Sequence, residues 1–546
     1  MDVRITSRET VQPSSQEVHL LKPFKLSFLD QLIPAFYVPL IFFYTQSSNS
    51  HFDSAQILAR LKESLSKTLN QFYPLSGRTI DNFCIDYYRE GVPYIEARVN
   101  GCLSDYLQST ELEKLNHLIP CEPFCYFSDP AVIPQLAVQV NIFDCGGIAL
   151  AMCCSHKIID ASTISAFLRS WAAFSRGSNG EIPHPDLLEA SSRLFPPMDS
   201  IPPNFLSSTR TLWFKEERYK TRRFVFDANA IATLMFKAKS KSLEHPSRVE
   251  ALTAFIWKYA MLACASASGI LKPSVLCQAV NLRHKMKPRL PDYSVGNLIR
   301  FAASAYKPAD KDIELHHLAY LLREAMENYN TDYLQSLQGD EGFKVISEKA
   351  NQVAEFAAKG NAQVYGFSSW LNSGMHQVDF GWGKPSWIGI PGVVSPAFTS
   401  LTFLKEIGQE KAVEAWVTLD EKKMTIFEHD HEFLAFASPN PHYDKYAMGL
   451  PILHSGFSSS RVPGVLFYFT QTLNCCVLKE VEIWLHDSAS VTGLFCKPSP
   501  HVQTHCMFFF VQRFFRLQST LVFELGCQSI FYVVVHADCF PMLCSL

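Results

Sequence analysis

The sequence lacks a dominant sign of charge: 49 basic against 52 acidic side chains leave 546 residues at a formal net charge of −3. A nucleic-acid binder should show a basic stripe to meet phosphate, so the near-neutral balance argues against that class. The first twenty residues, MDVRITSRETVQPSSQEVHL, hold no apolar core of signal-peptide length. No Asn-x-Ser/Thr sequon occurs, and the sixteen cysteines form no paired CxxC…CxxC spacing of the kind that holds zinc. The nine that precede residue 441 are scattered, several inside apolar runs such as AMCCS, where a reduced, buried thiol is the expected state. Together these absences point to a reducing, cytoplasmic setting. No internal repeat is evident, and no uninterrupted apolar run reaches the ~18–20 residues of a membrane span.

What is present is a large apolar complement, 47% hydrophobic against 18% charged, enough for extensive cores in two or more domains. Ser54 to Asn70 carries Ile57, Leu58, Leu61, Leu65 and Leu69 on one helical stripe, and YPLSGR ends it with Pro74 and Gly77. LAVQVNIF (136–143) and IALAMCCS (148–155) predict two strands joined by the turn DCGG. After Asp160 the period changes, and Ile164, Phe167, Leu168, Trp171 and Phe174 share one helical face. A Pro-, Gly- and Ser-rich stretch from about Ser175 to Thr221 marks a boundary, and a second body with its own strands and helices follows. Strands and helices mix without a strict alternation, so the expected class is mixed α/β or α+β.

The segment CCSHKIIDAST places His156 four residues before Asp160, where a strand gives way to a helix. Metal ligands at this spacing work best within one helix and need a third partner, which this junction does not supply. Cys153 and Cys154 lie in an apolar strand, without the electropositive surroundings that activate a thiol. A general base fits better, because a histidine at a strand end can face a cavity and titrates near neutrality. Asp160 could fix the loop, cap the helix or pair with a distant arginine. A lone His-x-x-x-Asp also arises by chance, and the segment carries little weight alone. A second segment, SSWLNSGMHQVDFGWGKPSW (368–387), sets Gly381 and Gly383 around Trp382, which suits a tight buried turn. Its DFG is not that of a kinase, since no Gly-rich loop, HRD segment or Walker Lys-Ser pair accompanies it.

In order and content, KLSFLDQL, YPLSGR, FDCGG, SHKIID, SRVEALTAFIWK, AVNLRHKM, DFGWGKP and VEAWVTLDEKKM resemble the BAHD acyl-CoA-dependent acyltransferases of plants, within their vinorine synthase-like, alkaloid-acetylating group. The resemblance runs from about residue 20 to about 440. It implies two similar-sized, chloramphenicol-acetyltransferase-like domains of mixed sheets and helices (1–175 and 222–440), joined by a crossover loop (176–221) around a channel open on both faces. It also implies a monomer that binds no metal and holds no permanent cofactor. Such a protein uses acyl-CoA, acetyl-CoA in this group, as co-substrate and acylates a hydroxyl or amine of a small specialised metabolite such as an alkaloid or terpenoid. His156 would be the base and Asp379 essential at the second motif. Asp160 would shape the site through a salt bridge to Arg283, and Trp382 would pack or offer its indole N–H to the oxyanion. Two departures stand out: Ala161 follows the aspartate where the family often has glycine, and Leu371 and Asn372 follow Ser-Trp where shikimate-accepting members carry arginine.

Residues 441–546 differ in kind, with seven cysteines, about a dozen charges and no clean period. They are expected to be an atypical tail and not a folded domain. A membrane-anchoring tail, or one that leaves the protein misfolded and silent, is an alternative. A metal-dependent hydrolase using His156 with EHDHE (428–432) is a further rival, against a solvated turn at that segment.

Overall fold

The computed structural model describes residues 2–440 apart from 46–52, 109–111, 125–132, 179–183, 216, 309–312, 340, 393–396, 399 and 408–411; beyond 440 it describes only five strands. The chain divides into two compact units, Met1–Leu453 and His454–Leu546.

Two large mixed sheets organise the first unit. One has six strands in the order Val3–Val11, Val92–Val99, Leu136–Phe143, Ile148–Ser155, Tyr37–Tyr44 and Trp387–Gly389. Its pairs are antiparallel except the parallel pairing of Val92–Val99 with Leu136–Phe143. The other has seven, in the order Ile299–Tyr306, Ser274–Asn281, Gln363–Ser369, Leu401–Ile407, Ala412–Asp420, Tyr219–Phe226 and Ser438–Pro439, with Gln363–Ser369 parallel to both neighbours. This is the mixed α/β, two-domain architecture expected from the sequence. Leu136–Phe143 and Ile148–Ser155 are buried at every position, which is why they read as unbroken apolar runs and not as alternating ones.

Helices Ser54–Gln71 and Ala161–Ser175 lie together beside the first sheet, where the indole N–H of the buried Trp171 donates to Leu61 O at 3.2 Å and Ser64 Oγ at 3.1 Å. Helix Arg248–Ser268 opens with a reciprocal Ser247/Glu250 capping box and closes on Gly269, whose φ of 77° suits a residue without Cβ.

Two features were not expected. Trp387–Gly389, from the C-terminal half, completes the N-terminal sheet by pairing antiparallel with Ile41–Phe43. The 176–221 stretch is not a plain loop: it holds the helix Pro203–Trp213, and strand Tyr219–Phe226 already begins inside it.

In the second unit, Val481–Leu485, Ala489–Phe495 and Met507–Val511 form an antiparallel sheet, and Ser519–Leu525 pairs with Ser529–Val535. Arg513 and Arg516, which interrupt the apolar run that begins with Met507–Val511, lie outside the described residues.

Candidate active site

His156 is the first residue past the central strand Ile148–Ser155. Its backbone N–H donates to Phe36 O at 2.9 Å, and its ring packs on Phe36 with centroids 5.1 Å apart. Ring Nδ1 lies 2.9 Å from Asn297 Oδ1. The other contacts of Asn297 decide which of these atoms donates. Asn297 Nδ2 donates to His156 O at 2.8 Å and to Asp30 Oδ1 at 2.9 Å, and Asp30 Oδ1 also accepts the Asn297 backbone N–H at 2.7 Å. With the amide nitrogen committed to two acceptors, the amide oxygen faces the ring and can only accept. Nδ1 therefore carries the proton, and Nε2 keeps its lone pair. Desolvation pulls the pKa of His156 below its ordinary value, against the opposing field of Asp160 and the Asn297 bond. A neutral imidazole near pH 7 follows.

Asn297 is held from below as well. Ser27 Oγ donates to Asp30 Oδ2 at 2.5 Å, and the buried Lys157 ammonium donates to Gln31 O at 3.0 Å and Ile33 O at 2.7 Å. Burial raises the pKa of Asp30 and brings that of Lys157 down to about 7. Gly296 adopts a φ of +119°, and a Cβ there would meet Asp30 Oδ2 at 3.2 Å, so backbone conformation and close approach both call for glycine.

Asp160 does two of the things its position allowed. Its Oδ1 accepts the Thr163 N–H at 2.8 Å, capping helix Ala161–Ser175. The same carboxylate takes a bidentate grip from Arg283, Nη1 to Oδ2 at 2.6 Å and Nη2 to Oδ1 at 3.1 Å, and accepts Leu298 N–H at 3.1 Å. Arg283 is fully buried and spends its remaining donors on Ser294 O and Gly296 O. The turn between Ser274–Asn281 and Ile299–Tyr306 thus delivers both Arg283 and Asn297 from the second sheet to the histidine turn of the first.

His156 and Asp160 line a cavity of about 460 Å³, walled mostly by apolar side chains such as Phe36, Ile164, Trp213, Trp370 and Phe403. The helix Pro203–Trp213 contributes Phe205, Leu212 and Trp213 to that wall.

Asp379 and Trp382 are not among the lining residues. Asp379 Oδ1 accepts the N–H of Gly381 at 2.7 Å and of Gly383 at 2.9 Å, closing its own loop. Its carbonyl accepts from Arg176, and Ser175 Oγ donates to Phe380 O at 2.8 Å, which docks the loop on helix Ala161–Ser175. Trp382 stacks on Phe380 with centroids 5.6 Å apart and meets Tyr44 edge-on at 6.1 Å; its buried indole N–H has no partner among the described residues. His156, Asp160 and Arg283 therefore form one network, while Asp379 and Trp382 belong to a separate loop.

Burial pushes the thiols of Cys153 and Cys154 up, which leaves both unreactive. In EHDHE, Glu428 pairs with Arg222 at 2.7 Å, Asp430 caps a short helix by accepting Phe433 N–H, and Glu432 accepts the Tyr259 hydroxyl at 2.9 Å. These side chains are occupied structurally.

Neither Asn297 nor Asp30 carries a local sequence signal of this role. Asp30 lies within KLSFLDQL, and Asn297 ends the segment SVGN (294–297), whose Gly-Asn pair is a turn signal with no hint of a histidine partner 141 residues away.

The transferase family profile matches residues 1–434. Akuammiline synthase 2 of Alstonia scholaris is 36% identical over 446 residues, covering 81% of this chain and 98% of its own. Limonoid 7-O-acetyltransferase of Citrus sinensis is 35% identical over 459 residues, covering 81% and 99%. The crystal structure of vinorine synthase superposes with a TM-score of 0.67 at 32% identity, covering 80% of this chain and 99% of that one. A profile match of this extent, with relatives aligned along nearly their whole length, places the chain in the transferase family, as a BAHD acyl-CoA-dependent acyltransferase.

Proposed function

We propose that the protein transfers an acetyl group from acetyl-CoA to a hydroxyl of an alkaloid or terpenoid, with His156 as general base, as a monomer and without a metal. The observation that carries this reading is the free Nε2 lone pair of a neutral histidine lining a large apolar cavity. His156 Nε2 takes the proton of the acceptor hydroxyl as its oxygen attacks the thioester carbonyl. The tetrahedral intermediate collapses, the C–S bond breaks, and the CoA thiolate leaves with the proton that the imidazolium returns. Asn297 Oδ1 accepts from Nδ1 throughout, and the charge of Asp160 favours the protonated ring that forms transiently. Asp160 and Arg283 hold the two sheets in register around these groups. Asp379 holds the DFGWG loop in shape and takes no part in proton transfer.

The acetyl group and the terpenoid acceptor are supported by the limonoid acetyltransferase among the relatives, and an apolar acceptor by the wall of the cavity. The family match ends at residue 434, so activity is assigned to the part of the chain before Pro441. The test is turnover of acetyl-CoA with a panel of alkaloid, terpenoid and phenolic alcohols, using the full chain and a chain ended at Pro441, with and without a chelator. Acetyl ester formed by both chains regardless of chelator is the expected result. Transfer to none of the alcohols, or loss with chelator, overturns the reading.

A further inference from the structure

The cavity carries a charge that the acyl transfer just described does not use. Among its lining residues Asp160 is the one carboxylate, and Arg283 already grips it with two hydrogen bonds. Two cations line the same space, Arg300 and Lys349. The Arg300 guanidinium makes no hydrogen bond or ion pair with any described residue; its neighbours are the phenols of Tyr329 and Tyr333, and Tyr329 is itself committed to Phe301 O at 2.9 Å. Lys349, exposed at the cavity, lies 4.7 Å from the centre of the Tyr333 ring and likewise has no carboxylate partner among the described residues.

A partly buried guanidinium without a counter-ion is costly, and arginine cannot escape the cost by losing its proton. Two other inward-facing arginines have a carboxylate partner: Arg283 meets Asp160, and Arg223 meets Glu414 at 2.9 Å. Arg300 has no such partner among the described residues, and it lines the cavity that substrate must enter. It is the second residue of the strand Ile299–Tyr306, three positions after Asn297, the residue that holds the base. Three extended residues span at most ~10 Å. The pantetheine arm holds the phosphates of CoA well away from the thioester, so a group close to the reacting carbonyl is the better partner.

We propose that Arg300, with Lys349 beside it, binds a carboxylate carried by a substrate close to the reacting hydroxyl and thioester, either on the acceptor or on the acyl group. The inference rests on acyl transfer at His156. It assigns the substrate an acidic group that the Ser-Trp-Leu-Asn segment gave no reason to expect. The planar fork of arginine matches a carboxylate with two hydrogen bonds, which makes Arg300 a specificity residue as well as an anchor.

The test compares the full chain with Arg300→Met and Arg300→Lys in three arms. The first uses acetyl-CoA with alicyclic hydroxy acids of one to five rings, each paired with its methyl ester. The second uses neutral alcohols with malonyl-CoA against acetyl-CoA, and the third uses acetyl-CoA against acetyl-dephospho-CoA. In Arg300→Met the kcat/KM ratio of acid to ester, or of malonyl to acetyl, is expected to fall by about 10- to 100-fold, the cost of a lost hydrogen bond to a charged group. Arg300→Lys should recover part of it. An unchanged ratio in both of the first two arms overturns the proposal, as does a loss that vanishes with dephospho-CoA. If no acceptor turns over, the acyl-transfer reading fails separately. Calorimetric binding of the hydroxy acids then decides: weaker binding by Arg300→Met supports the carboxylate site, and equal binding overturns it.

Discussion

Two aspartates mark the two signature segments, and the protein uses them in opposite ways. Asp160 is buried and reaches across the molecule: it caps its own helix but also grips Arg283 on the second sheet and the backbone of Leu298. Asp379 is half-exposed and turns inward on its own loop, where one oxygen accepts two amides within four residues. The first therefore ties distant elements together in a low-dielectric interior, and the second sets local backbone shape beside water. The same side chain carries very different energetic weight in the two settings, because an uncompensated buried charge costs far more than a lost exposed hydrogen bond.

The strongest way to break this comparison is to strand the buried charge. Arg283→Met leaves the Asp160 carboxylate without its partner and is expected to lower stability by about 3–5 kcal/mol in denaturant unfolding. Combining it with Asp160→Leu should recover part of that loss, since no lone charge then remains. Asp379→Ala removes two hydrogen bonds from a half-exposed loop and is expected to cost about 1–2 kcal/mol. A cost equal to that of Arg283→Met would erase the distinction.

The smallest effect sharpens the comparison through the base. The pKa of His156 is lowered by desolvation, so its unprotonated form persists below the ordinary histidine range of about 6.5. Activity should accordingly be lost only as pH falls through that lowered value, seen as the acid limb of the kcat/KM profile. The charge of Asp160 opposes the lowering, so Asp160→Asn should move the limb further toward acid among molecules that remain folded. Asp379→Asn should leave the limb where it is.

Much of this arrangement could be read from the chain before any coordinates. Strands Leu136–Phe143 and Ile148–Ser155 announce themselves as apolar runs around a Gly-rich turn, and Asp160 sits at the change of period where a helix needs a cap. Local patterns carry local structure, and these are local. What escaped notice is long-range or short. Trp387–Gly389 is three residues, too few to show a period, yet it completes the opposite sheet. The helix Pro203–Trp213 hides among prolines and serines that read as loop. Asn297 has no local reason to be functional, because its meaning comes from Asp30 on one side and His156 on the other. A polar network assembled from three distant turns leaves no periodic trace in any of them.

We propose that His156, neutral and held by Asn297, removes the acceptor's proton. The direct measurement is kcat/KM for acetyl transfer by His156→Ala, alongside its thermal midpoint. A fall of about 10²- to 10⁴-fold is expected, with the midpoint nearly unchanged. Turnover retained by a His156→Ala protein with native stability would contradict it.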